Sequence, residues 1–185
     1  MNGVRRTGLA ALLAIGLMSG TDTVMTTAVA GEATVAPAFT HTAPQDWINS
    51  SPLRWEDLRG QVVLLDFWTF DCWNCYRSFP WLHGIERTYT GKGLRVVGVH
   101  SPELPQERVR ANVLRKVAEF KLEFPVMIDT DMSYWKAMNN QYWPAFYLID
   151  KRGRVRALFA GETHVGDRNA TAIDGAIREL LAEPA

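Results

Sequence analysis

The chain has 185 residues, and its 20 basic and 20 acidic residues leave no formal net charge. A protein whose main partner is nucleic acid needs a basic face, so this balance argues against that class of function. With 47% hydrophobic residues, the composition is that of one globular domain with a sizeable core.

The N-terminus has the pattern of a secretory signal segment over residues 1–30. Arg5 and Arg6 precede an apolar run at residues 9–18, which is too short to span a bilayer. Ala28 and Ala30 then supply the small residues that a signal peptidase requires. The sequence predicts cleavage after Ala30 and a soluble periplasmic protein, with an uncleaved membrane anchor as the alternative.

The rest of the chain alternates between strand and helix patterns. Residues 31–52 are interpreted as a partly ordered leader, and one domain is predicted over residues 53–185. The apolar runs predict strands, the last two forming a hairpin, at residues 61–70, 94–101, 124–129, 144–150 and 154–161. Helices are predicted from Cys72 onward and at residues 105–122, 133–140 and 168–183. This order predicts an α/β fold with a mixed sheet and helices on both faces.

Both cysteines of the chain, Cys72 and Cys75, stand where the first predicted strand gives way to a helix. A disulfide between them would close a loop too short to stabilise the fold much. A thiolate at a helix N-terminus, in contrast, is stabilised by unpaired backbone N–H groups and by the helix dipole. The position therefore predicts Cys72 as the nucleophile, with the more exposed and more acidic thiol of the two, and Cys75 as a more buried resolving thiol in thiol–disulfide exchange.

Asp66 is a lone carboxylate inside the apolar run that leads to the cysteines. Burial without a partner raises the pKa of such a group, which would suit Asp66 to accept the proton that Cys75 must lose. The alternative is that Asp66 only hydrogen-bonds backbone or water at the end of the strand. Glu103, after the second strand, is another candidate for proton handling, although a surface loop is the favoured interpretation.

The stretch DFWTFDCWNC, with Pro80 five residues after Cys75, resembles the thioredoxin signature. The segment YWPAFYLID resembles the one in which a cis-proline faces the cysteines, and Pro144 matches that proline. Over residues 50–183 the chain resembles the TlpA/ResA-type envelope reductases, and above all the thioredoxin-like domain of DipZ-type proteins. The resemblance implies a thioredoxin fold with an N-terminal extension and a helical insert.

The resemblance also implies a periplasmic thiol–disulfide oxidoreductase that acts on protein disulfides without a cofactor. Its electrons would come from a membrane donor of the DsbD/CcdA type, and apocytochrome c is one candidate client. Reduction is the favoured direction, although the dipeptide between the cysteines of reducing members usually ends in proline and here ends in Asn74. We expect a monomer.

Four residues are assigned to substrate binding. The resemblance implies that Trp68 packs beside the sulfurs. It also implies that the backbone around Trp143 pairs with an incoming peptide, with a cis bond between Trp143 and Pro144. Trp73, between the cysteines, is expected to be exposed as an apolar contact for a partner protein.

Two other classes of function remain open. A thioredoxin-fold copper chaperone would bind Cu(I) through both cysteines and His100 or His164, although such proteins usually space their cysteines one residue wider. A peroxiredoxin would use Thr69, but Leu65 replaces the proline of its motif. Haem attachment is rejected, because the histidine that it needs directly after the second cysteine is missing. Structural zinc is rejected, because the second pair of ligands that it needs is missing. No resident metal is therefore predicted.

Overall fold

The computed structural model describes residues 34–185, so the predicted signal segment lies outside the described residues. Within this range six strands form one sheet: β1 (Trp47–Ile48), β2 (Val62–Trp68), β3 (Leu94–His100), β4 (Val126–Ile128), β5 (Ala145–Ile149) and β6 (Val155–Ala160). The α-helices of this range are α1 (Trp73–Tyr89), α2 (Arg110–Glu119), α3 (Ser133–Ala137) and α4 (Arg168–Ala182). None of its helices is long and apolar enough to cross a membrane.

The strand order in the sheet is β1-β4-β3-β2-β5-β6. Strands β2, β3 and β4 are parallel, whereas β1, β5 and β6 each run antiparallel to the strand they join. This arrangement confirms the predicted thioredoxin fold with a mixed sheet. Because Trp68 pairs with His100, the carboxyl ends of β2 and β3 meet at one edge, where α/β folds place their sites.

One face of the sheet packs against α1, α2 and α4. Side chains alternate along a strand, so Val62, Leu64 and Trp68 of β2 all point to this face. They share one buried cluster with Cys75 and with apolar residues of the three helices, namely Phe79, Leu82, Ile85, Val113, Val117, Ile173 and Ile177. The first turn of α1, which carries Cys75, is therefore packed directly against the end of β2.

The other face of the sheet is covered by α3 and by the leader. Phe39 and Trp47 of the leader are buried in a second cluster, together with Tyr134 of α3. The Phe39 ring lies 5.3 Å from the ring of Trp47, 4.9 Å from that of Trp55 and 5.1 Å from that of Tyr134. The two sides of the sheet are thus covered by different parts of the chain.

The helix predicted over residues 105–122 is interrupted in the structure. Pro105–Arg108 form a 3₁₀ helix, Val109 is extended, and α2 then covers Arg110–Glu119. The tighter turn carries Glu107 inward, where its carboxylate accepts hydrogen bonds from the backbone of residues 71, 103 and 104. Apolar periodicity alone did not indicate this break.

Candidate active site

Cys72 is the N-cap residue of α1, directly after the turn that leaves β2. Its sulfur accepts a hydrogen bond from the backbone N–H of Cys75 at 3.1 Å. The two cysteines are joined by a disulfide, with their Cα atoms 5.3 Å apart. Cys72 is half-buried whereas Cys75 is 1% exposed, so Cys72 carries the sulfur that a partner can reach.

Asp66 is buried in the interior of the sheet. It lies on β2 between Leu64 and Trp68 in the alternation, and it therefore points to the face that also buries Cys75. Within residues 34–185, neither carboxylate oxygen has a hydrogen-bond partner. Burial raises the pKa of Asp66 to about 8, so the group can hold or release a proton near neutral pH.

Trp68 is fully buried in the cluster that contains Cys75 and against which Cys72 packs. Its ring meets Phe79 of α1 edge-on, with centroids 5.5 Å apart. Room for the ring depends on Gly98 of β3, where an added Cβ would lie 3.1 Å from the Trp68 Nε1. Trp68 therefore belongs to the buried surroundings of Cys75.

Trp143 and Pro144 lie directly before β5, on the same edge of the sheet as the cysteines. The peptide bond between them is cis, as the sequence predicts. Ala145 pairs with Phe67, so Pro144 comes beside the carboxyl end of β2. The half-buried Trp143 ring donates from Nε1 to the carbonyl of Ser101 at 3.0 Å, which fixes it to the loop after β3.

A cleft of about 350 Å³ opens next to Cys72, between α1 and α2. Trp73 is 62% exposed at the rim of the cleft, in agreement with its predicted exposure, and its ring meets that of Tyr76 edge-on with centroids 4.9 Å apart. Tyr76 in turn stacks on Phe120, with ring centroids 6.1 Å apart. The cleft next to the half-buried sulfur is thus lined by four aromatic side chains, including that of Phe70, and by the charged side chains of Asp71, Lys116 and Glu119.

Glu107 is a further residue of this region, and the sequence analysis missed it. Its side chain is fully buried and accepts hydrogen bonds from the N–H groups of Asp71, Glu103 and Leu104 at 2.9, 2.7 and 2.6 Å. Burial raises the pKa of this carboxyl, but hydrogen bonds from the Thr69 hydroxyl and from these amides outweigh burial and leave the pKa lowered. Glu103 itself is exposed in a surface loop.

The residues on which the other two classes would depend are engaged within the protein. Thr69 is fully buried, with its hydroxyl 3.3 Å from Nε2 of His100. Burial lowers the pKa of His100 to about 4, so this fully buried ring is neutral at neutral pH. The His164 ring hydrogen-bonds Glu162. Neither the hydroxyl of Thr69 nor the ring of His100 is open to solvent.

Comparisons with known proteins give the family of the chain and several of its relatives. Residues 30–174 match the model of the Redoxin family. Protein DipZ of Mycobacterium tuberculosis is 41% identical over 138 residues, which make up 73% of this chain and 19% of that protein, so the chain spans about a fifth of its length.

Two further relatives are covered over most of their length. The thiol-disulfide oxidoreductase YkuV of Bacillus subtilis is 28% identical over 65% of this chain and 80% of that protein. The crystal structure of a thiol-disulfide isomerase from Corynebacterium glutamicum superposes with a TM-score of 0.66 at 25% identity, and the match covers 80% of this chain and 98% of that one.

Proposed function

Because this chain belongs to the Redoxin family and carries the cysteine pair of a thioredoxin-fold thiol–disulfide oxidoreductase, we propose that it reduces protein disulfides in the bacterial periplasm. The observation that carries the proposal is the arrangement of three groups. A half-buried Cys72 caps a helix, and a buried Cys75 lies one turn further on. The carboxylate of Asp66, which has no hydrogen-bond partner within residues 34–185, faces the same buried cluster.

The first half-reaction begins with the reduced protein. The Cys72 thiolate, stabilised at the N-terminus of α1, attacks one sulfur of the substrate disulfide. A bond forms between Cys72 and that sulfur, the substrate S–S bond breaks, and the second substrate sulfur leaves as a thiolate and takes up a proton. The product is a mixed disulfide between protein and substrate.

The second half-reaction releases the substrate. Asp66, with its pKa raised by burial, accepts the proton of the Cys75 thiol. The Cys75 thiolate then attacks the sulfur of Cys72, and the substrate sulfur departs with the bonding electron pair. The substrate has gained two electrons, and the protein is left with the Cys72–Cys75 disulfide seen in the structure.

Binding of the substrate is assigned to the surface around Cys72. The backbone beside the cis Trp143–Pro144 bond would pair with the extended peptide that carries the disulfide. Trp73 would add an apolar contact with its 62% exposed side chain, and Trp68 would hold the wall behind the sulfurs. These assignments follow the thioredoxin resemblance together with the exposure of each side chain.

We also propose export and a membrane electron donor. The signal pattern of residues 1–30 supports a periplasmic location, and the likeness to envelope reductases supports a DsbD/CcdA-type donor that regenerates the dithiol. N-terminal sequencing of the exported protein is expected to give Gly31 as the first residue. An intact Met1 would contradict cleavage and favour the uncleaved membrane anchor, whereas a purely cytoplasmic protein would contradict the location.

Substitution of each cysteine tests the proposed exchange. Cys72→Ser should abolish reduction of insulin disulfides, because the nucleophile is gone. Cys75→Ser should accumulate mixed disulfides, because the resolving thiol is missing, and non-reducing gels with mass spectrometry would detect them. The assignment fails if Cys75→Ser traps no partner and Cys72→Ser remains active.

The reduction potential of the wild-type protein gives the direction of electron flow. Equilibration of the wild-type pair with glutathione is expected to give a reduction potential near that of thioredoxin, about −270 mV. A value near that of DsbA, about −120 mV, would make the protein an oxidant and overturn the reducing role.

A further inference from the structure

We propose that Glu107 is a positioning residue for the nucleophile, acting through the turn that joins β2 to Cys72. The proposal rests on the proposed function only in taking Cys72 as the nucleophile. The hydrogen-bond partners of Glu107 are backbone N–H groups and the Thr69 hydroxyl, and not the sulfurs. It acts on Asp71, the residue that directly precedes Cys72.

The two carboxylate oxygens of Glu107 bind two different loops. Oε1 accepts from the backbone N–H of Asp71 at 2.9 Å, on the turn before α1. Oε2 accepts from the N–H groups of Glu103 and Leu104 at 2.7 and 2.6 Å, in the loop after β3. One buried anion therefore joins the ends of the two central parallel strands.

A neighbouring side chain makes a second contact with the same residue. Gln106, in the same 3₁₀ helix as Glu107, donates from Nε2 to Oδ2 of Asp71 at 2.7 Å. Both the backbone and the side chain of Asp71 are thus held by consecutive residues of one turn. Such double attachment limits the rotation of the peptide that enters Cys72.

The orientation of Cys72 determines how well its sulfur is stabilised. Cys72 adopts an extended N-cap conformation, with φ −82° and ψ 106°, in which its sulfur accepts the Cys75 N–H. This hydrogen bond and the helix N-terminus are what lower the pKa of a thiol at such a position. If Asp71 were released, the sulfur would spend less time in this geometry, and the thiolate would be less favoured.

If Glu107 acted only through its charge, its removal would change the reactivity of Cys72 in the opposite direction. Removal of a negative charge near a thiol favours the thiolate, so it would make Cys72 more reactive at a given pH. A role limited to folding would change the melting temperature and leave the reactivity of Cys72 unchanged. The direction of the change in thiol reactivity therefore separates the three roles.

The test measures alkylation of Cys72 by iodoacetamide as a function of pH, in full-length protein carrying Cys75→Ser so that only one cysteine reacts. In this background Glu107→Gln is expected to move the alkylation profile to higher pH and to slow the reaction at about pH 7 by about threefold or more. The matched control is Glu103→Gln, which changes an exposed carboxylate four residues away and is expected to leave the profile unchanged.

An unchanged profile for Glu107→Gln, or a shift to lower pH, overturns the proposal. If that variant does not fold, Gln106→Ala removes only the contact at the Asp71 side chain, and a smaller shift to higher pH is expected; no shift overturns the proposal. Alkylation needs no disulfide substrate. A protein that shows the shift but cannot reduce insulin would keep the role of Glu107 and lose the proposed function.

Discussion

Asp66 and Glu107 are both carboxylates with almost no exposed surface, yet their surroundings differ completely. Asp66 has no hydrogen-bond partner within residues 34–185, and burial raises its pKa to about 8. Glu107 is also disfavoured as an anion by burial, but hydrogen bonds from Thr69 and three backbone N–H groups lower its pKa overall.

The difference shows that burial alone does not decide the charge of an acidic residue. The number of donors around the carboxylate decides it, because each donor stabilises the anion that burial penalises. Asp66 can therefore exchange a proton during a reaction near neutral pH. Glu107 remains an anion over the same range, and it is suited to hold backbone in place.

The largest change in stability is expected when Glu107, the carboxylate with several hydrogen-bond donors, is substituted. Glu107→Gln should lower the free energy of unfolding by about 2–4 kcal/mol at neutral pH, because an amide cannot accept hydrogen bonds through both of its heavy atoms and some buried N–H groups lose their partner. Urea denaturation of the oxidised protein measures this. Glu103→Gln is the control, with an expected change below about 0.5 kcal/mol.

The pH dependence of this loss has a definite sign. A carboxylate with a lowered pKa stabilises the folded state above the unfolded pKa of about 4.3, and that contribution is lost as the pH falls through the folded value. The gap between wild type and Glu107→Gln should therefore shrink in acid. A gap that stays constant from neutral pH to about pH 3 would contradict an ionised Glu107.

Asp66→Asn should raise the free energy of unfolding, by less than Glu107→Gln lowers it. Its pKa is raised to about 8 in the folded protein and lies near 3.9 in the unfolded chain, so the unfolded chain loses its proton first as the pH rises. Wild-type stability thus falls between about pH 4 and pH 8, whereas the amide does not titrate. We expect Asp66→Asn to be more stable by about 1–3 kcal/mol at neutral pH and equal to wild type near pH 4.

Asp66→Asn is expected to change stability and catalytic turnover in opposite directions. The more stable Asp66→Asn protein should release mixed disulfides more slowly, with the largest deficit near neutral pH, because Cys75 has lost its proton acceptor. Stopped-flow decay of the mixed disulfide across pH measures this. An unchanged pH–rate profile would remove Asp66 from proton transfer, whatever its effect on stability.

Much of this site could be predicted from local sequence. The apolar run of β2 followed by a helical pattern located Cys72 at a strand-to-helix junction, and a carboxylate among apolar residues marked Asp66 as buried and costly. The thioredoxin likeness further indicated the cis bond before Pro144. Each of these features depends on residues close together in the chain.

Glu107 could not be found in this way, because its role depends on contacts across the fold. It binds Asp71, 36 residues earlier, and that contact exists only because β2 and β3 are parallel with Trp68 opposite His100. A local signal was nevertheless present. Pro105 at the first helical position with Glu107 two residues later is typical of a helix N-terminus whose acidic side chain accepts a backbone N–H.

The leader has a practical consequence for anyone who cuts or fuses this chain. Phe39 and Trp47 cover one face of the sheet, and Ala36 donates its N–H to Gly153 while Thr34 accepts from Val155 at the start of the edge strand β6. A piece starting at residue 53 would therefore uncover aromatic rings and part of a strand edge at once, which invites aggregation. A junction for fusion belongs before Thr34.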